Sequence, residues 1–150
     1  MTQAANDFGS RLRACRGALV DRNVLLDVAT GDPPWKDWSA RTLTEIAEYT
    51  TLMINPIIYA EVSVGYSTIA SLDAALPPTL NRRDPLPWEA GFLAGKSYLL
   101  YRRRAGLRTS PLPDFYIGAH AAIGHLALLT RDAARYRSYF PTIDILAPTT

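Results

Sequence analysis

Four short apolar runs, Gly17 to Val20, Leu52 to Ile54, Leu126 to Leu129 and Ile143 to Leu146, are separated by longer segments with helical spacing. Each run is the length of a buried strand. Strands that alternate with helices form a parallel sheet covered on both faces. The expected architecture is therefore α/β, a three-layer α/β/α fold around a central parallel sheet of four to five strands.

Local signals place the helices between those strands. Val24 to Val28 suit the first turns of one, and Asp37 to Tyr49 spaces Leu43, Ile46 and Ala47 for another. Asn55-Pro56 supplies an N-cap with Pro at the first helical position, for a helix running through Glu61 to about Gly65. Thr68 to Leu76 reads as a helix, and Pro77, Pro78, Pro85 and Pro87 delimit a loop. Trp88 to Ala105 reads as a long helix ended by Gly106, with Arg102 to Arg104 suiting its terminal dipole. Pro111 to Pro113 lead to Asp114, a candidate cap for a helix to about Gly124, and Arg131 to Tyr136 suits a short helix. Residues 1–16 show no core periodicity and read as an N-terminal extension, loose or helical, before a single domain over 17–150.

Composition narrows the class. A hydrophobic content of 48% supports a substantial core, and 20% charged residues exclude a disordered polyelectrolyte. A lone Cys15 allows no internal disulfide, and no run suits a signal peptide or a membrane span, so the cytoplasm is the expected compartment. The basic residues are 14 Arg and 2 Lys at a net charge of +2. Arg forks match phosphate, although an Arg-rich codon bias gives the same count.

The acids are more informative. Glu61 is the only charged residue between Glu48 and Asp73, and Asp114 the only formally charged one between Arg108 and Arg131. An isolated carboxylate in apolar sequence is costly unless something compensates it. Asp21 and Asp132 each follow an expected strand, where open parallel sheets bind ligands. Four carboxylates sharing one crevice repel one another, and a divalent cation removes the conflict, with Mg²⁺ or Mn²⁺ suited to all-oxygen ligation. Such a site points to phosphodiester hydrolysis. Each acid also has a plain structural reading: a cap for Asp114, turns for Asp21 and Asp132, a helix surface for Glu61.

"LVDRNVLLD", "INPIIYAEV", "LPDFYIGAHA" and "LLTRDAARY" resemble the successive motifs of PIN domains, in order and over about residues 17 to 147. The small size of the chain and the approach from Gly106 to Asp114 resemble the VapC toxins of toxin–antitoxin systems. The resemblance implies a Mg²⁺-dependent endoribonuclease, often a homodimer, held inactive by a VapB-like antitoxin. Carried over by position, Asp21, Glu61, Asp114 and Asp132 form the catalytic, metal-binding set, with Asn23 and Thr130 as supporting polar residues. Arg22 and Arg131 become candidate RNA contacts. Arg22 stands where the family usually has Thr or Ser, and is expected to point outward, because strand-to-helix turns aim neighbouring side chains apart. The first strand also starts later here than the family's usual position close to the initiator Met.

Other readings are weaker. "GFLAGKS" lacks one residue of a phosphate loop and follows no strand. His120 and His125, five apart, point to different helix faces and make a poor metal pair. A phospho-receiver domain calls for paired acids after the first strand and a late lysine, whereas the lysines here are Lys36 and Lys96. A degenerate PIN fold that binds RNA or protein without cleaving, and a DNA-directed nuclease, stay open beside the ribonuclease.

Overall fold

The computed structural model describes residues 3–105 and 112–148. Five parallel strands form one sheet: β1 (Gly17–Val20), β2 (Leu52–Ile54), β3 (Arg82–Arg83), β4 (Leu126–Leu129) and β5 (Ile145–Leu146). Their order is β3-β2-β1-β4-β5, so the chain moves outward on one side of β1 and returns to its other side with β4. The strand order reverses between β1 and β4, and their carboxyl ends open a crevice there.

Burial explains the pattern of the central strands. β1 and β4 are buried along their whole length, as continuous apolar runs are in a sheet covered on both faces. β3 was not anticipated. Its two residues are exposed arginines that pair with Met53 and Ile54 through the backbone alone, so no apolar pattern marks them.

Eight helices are present among the described residues: α1 (Gln3–Ala14), α2 (Arg22–Thr30), α3 (Lys36–Ala47), α4 (Pro56–Ser63), α5 (Ile69–Ala75), α6 (Trp88–Ala105), α7 (Leu112–Gly124) and α8 (Ala134–Tyr139). They flank the sheet in the expected three-layer α/β/α arrangement. Asn55 caps α4 by accepting from the Ile58 N–H at 2.9 Å, and Thr68 caps α5. Gly31 ends α2 at φ 69°, a left-handed position that suits Gly. The segment before β1 folds as α1 and is no loose tail: Leu12 is in the core, Phe8 meets Tyr49 edge to face, and Arg11 pairs with Asp144. Gly106 and Pro111 lie outside the described residues.

The packing that matters most for the crevice is α6 along α7, α7 against β1 and β4, and α2 against both α3 and α4. Gly118 lets α7 approach Phe140 closely, since a Cβ there would run into the Phe140 ring. Phe115 is fully buried among Tyr98, Tyr101, Tyr139 and Phe140, and anchors the start of α7. No helix among the described residues is long and apolar enough to cross a membrane.

Candidate active site

β1 ends at Val20 and α2 begins at Arg22, which leaves Asp21 as the helix cap. Its Oδ1 accepts from the Arg22 N–H at 2.8 Å, and its Oδ2 accepts from the Thr130 hydroxyl at 2.8 Å across the β1–β4 boundary. The Tyr136 hydroxyl lies 3.4 Å from the same Oδ2. Asp21 is only 5% exposed. Burial raises its carboxyl pKa, and the Thr130 and Arg22 hydrogen bonds offset only part of the rise.

Two further acids converge on Asp21. Asp114 lies in the first turn of α7, inside the helix rather than at the cap expected for it. Burial raises its pKa, and the negative charge of Asp21 adds to the effect. Glu61 arrives from α4. Burial also pushes its carboxyl up, with Asp21 and Asp114 reinforcing the shift and Arg22 opposing it. Asp132 occupies the exposed rim, where its backbone N–H donates to the Thr130 hydroxyl at 3.1 Å and its charge reaches Asp114. Asn23 links the same turns, its Oδ1 accepting from the Arg131 N–H at 3.3 Å and its amide 3.5 Å from the Thr130 hydroxyl.

Both arginines singled out from the sequence sit elsewhere than expected. Arg22 turns inward, its Nε 3.4 Å from Glu61 Oε2, because α4 packs against α2 and a half-buried carboxylate attracts the nearest cation. Arg131 is committed to structure. Its guanidinium bridges both oxygens of Asp27 at 2.8 and 3.0 Å and covers the Trp35 ring at 4.9 Å. Asp27, nearly inaccessible, also accepts from the Ser39 hydroxyl at 2.7 Å, so this is a buried ion pair away from the acids.

Two residues escaped the sequence reading. Arg135 forms an ion pair with Asp114, and Tyr136 closes the floor beneath Asp21. Burial raises the Tyr136 pKa far above its ordinary value, so the hydroxyl stays protonated and donates. The signal was present in "RDAARYR", but α8 starts at Ala134 rather than Arg131, which changes where both side chains point. His120 plays no part in this cluster. It is buried against Asn55 and Asp84, at 3.0 and 2.8 Å, and Asp84 also pairs with Arg16.

The donors are all oxygen, the chemistry of a hard divalent cation. Glu61 Oε1 is enclosed with no hydrogen-bond partner, an unsatisfied acceptor that a cation would satisfy. Arg22 and Arg135 now hold Glu61 and Asp114, and among the described residues no three acid, His or Cys side chains are close enough to clasp an ion. The residues therefore fit the cation chemically, with two arginines serving as counter-charges in the present arrangement.

A pH dependence follows from the raised carboxyls. A group whose folded pKa exceeds its unfolded value adds stability that is complete below the unfolded pKa and disappears as pH rises through the folded one. Asp21, Glu61 and Asp114 should therefore lower the melting temperature of the metal-free chain as pH climbs above the carboxyls' ordinary 3.8 to 4.5. Asp84, held low chiefly by Arg16, acts oppositely and at more acid pH. Metal binding needs the ionised forms, so the stabilisation by Mn²⁺ should grow over the same window. Melts in EDTA and in Mn²⁺ from about pH 4 to 8 should diverge as pH rises; parallel curves would contradict this.

The model of the PIN domain family matches residues 18–140, and the chain belongs to that family, whose members are generally nucleases. No curated protein sequence matches the chain. Among solved structures it is similar to VapBC2 from Rickettsia felis bound to a DNA fragment from their promoter. The TM-score is 0.67 at 18% identity, covering 88% of this chain and 98% of that one. VapBC-1 from nontypeable Haemophilus influenzae also gives 0.67, at 15% identity, covering 87% and 96%. FitAcB from Neisseria gonorrhoeae gives 0.61 at 20%, covering 87% and 97%. These likenesses show a shared fold.

Proposed function

We propose that this chain is a metal-dependent endoribonuclease, a VapC-type toxin that hydrolyses RNA phosphodiester bonds and is silenced by a VapB-like antitoxin. The observation that carries the reading is the set of three carboxylates with raised pKa values, Asp21 buried and Glu61 and Asp114 half-buried, at the point where the strand order reverses. Asp132 joins them from the rim. Together they would hold Mg²⁺, or Mn²⁺ in its place, which when bound acidifies water and polarises a phosphoryl oxygen. Thr130 and Tyr136 donate to Asp21 and fix its orientation, and Asn23 ties the turn after β1 to the turn after β4. Residues 17–150 are read as the nuclease domain, acting as a homodimer in the cytoplasm.

An antitoxin of the expected kind brings an apolar stretch and a cation. A groove of 410 Å³ lined by Leu25, Val28, Leu43, Ala47, Leu76 and Leu80 suits the first, and the acid cluster suits the second. The rival reading, a PIN fold that binds RNA or protein without cleaving, draws on Arg22 and Arg135 already holding two of the acids.

Incubating the purified chain with single-stranded RNA separates the two. Cleavage in Mg²⁺ that stops in EDTA, and stops again when the chain is co-purified with the product of the adjacent upstream gene, is the expected result. RNA retained intact but bound would favour the non-cleaving module. A chain harmless to its host and indifferent to that neighbour would contradict the toxin role.

A further inference from the structure

The acid cluster contains its own cation. The Arg22 Nε lies 3.4 Å from Glu61 Oε2, on a residue that directly follows the cluster's most buried acid, Asp21. α2 and α4 are packed together, so this half-exposed guanidinium lies beside two turns that each supply an acid. Glu61 therefore uses one oxygen on Arg22 and keeps the other, Oε1, enclosed and unpartnered. Two metal ions sharing a carboxylate cluster stand about 4 Å apart, the spacing at which a guanidinium and a metal would compete for the same carboxylate.

Charge balance leads to the same place. With the carboxylates of Asp21, Glu61, Asp114 and Asp132 counted in the ionised form that metal binding requires, the two guanidiniums of Arg22 and Arg135 leave two negative charges. One divalent cation neutralises those; a second would leave the crevice positive, beside a fixed cation that repels it. Arg131 does not enter the balance, because Asp27 holds it.

We infer that the Arg22 guanidinium occupies the place of a second metal, so that this site takes a single divalent cation, bound by Asp21, Asp114 and the free oxygen of Glu61. The inference rests on the proposed metal-dependent reading and refines it: Arg22 sets how many ions the site holds. An arginine in that position is covalently part of the chain, so its local concentration does not fall when free metal is diluted.

The test is a titration of the whole chain with Mn²⁺, with free ion counted by electron paramagnetic resonance and the fold checked by circular dichroism. The wild-type chain should saturate at one ion, Arg22→Thr at two, and Arg22→Lys, which keeps the charge, at one. Arg22 is half-exposed, so these variants leave the core untouched. Two ions bound by the wild-type chain, or one bound by Arg22→Thr, would overturn the inference while leaving the metal-dependent reading intact. No ion bound by any of the three would sink that reading, and the count with it.

Discussion

Replacing Asp114 by Asn should reduce Mg²⁺-dependent RNA cleavage by about 100-fold or more, since even outer partners of metal ligands typically cost 10–100-fold when removed. The fold should survive almost unchanged. Burial and the Asp21 charge both work against the ionised Asp114 side chain, so a neutral amide of the same shape relieves an unfavourable term. The loss on the other side is one ion pair with Arg135, whose side chain is 27% exposed and can turn to water. Pairs of that kind contribute about 0–1 kcal/mol. Single-turnover cleavage and a thermal melt of the same preparation check both halves. Full activity in Asp114→Asn would remove this acid from the mechanism.

Phe115→Ala should have the opposite profile. The Phe115 ring is fully buried, with ring centroids at 5.4 Å from Tyr101, 5.6 Å from Tyr98 and Tyr139, and 6.3 Å from Phe140. Truncating such a residue costs about 3–5 kcal/mol, the transfer of the ring plus the cavity left behind. In a chain of this size that lowers the melting temperature by roughly 10 °C. The residue sits beside Asp114, so activity should disappear with unfolding, as a function of temperature, while the folded fraction at low temperature still cleaves. A urea titration read by circular dichroism measures the first effect, and a cleavage assay in the cold the second. A melting temperature within a degree or two of wild type would contradict the packing account.

The contrast between these neighbours shows what could be read before the structure. β1, β2, β4 and α6 lie where the sequence analysis placed them, because each carries its own signal: a continuous apolar run for a strand buried on both faces, or a proline-free stretch from Trp88 to Ala105 with arginines in its last turn. β3 had no such signal, since Arg82 and Arg83 join the sheet through backbone hydrogen bonds alone. The start of α8 moved because Thr130 takes the Asp132 N–H and holds that turn open until Ala134. The segment before β1 hid its role, as Leu12 and Phe8 are too few to show a period yet are enough to dock a helix.

The acids were legible for a physical reason. A carboxylate alone in an apolar segment must be compensated, and Glu61 and Asp114 were conspicuous on that ground. The partners that compensate them were not legible. The direction of Arg22 depends on α4 lying against α2, and that of Arg135 on α8 reaching the start of α7. Arg131 shows the converse: a candidate RNA contact by sequence, it pairs here with Asp27, an acid inside an otherwise apolar stretch of α2 whose burial calls for such a partner.

The central claim is that Asp21, Glu61 and Asp114 close around a divalent cation, and an anomalous difference map from crystals grown with MnCl₂ tests it most directly. The account predicts a peak bounded by Asp21, Asp114 and Glu61 Oε1, present in the wild-type chain and lost in Asp21→Asn. Saturating Mn²⁺ with no peak among these three carboxylates, or the only peak elsewhere on the molecule, would contradict it.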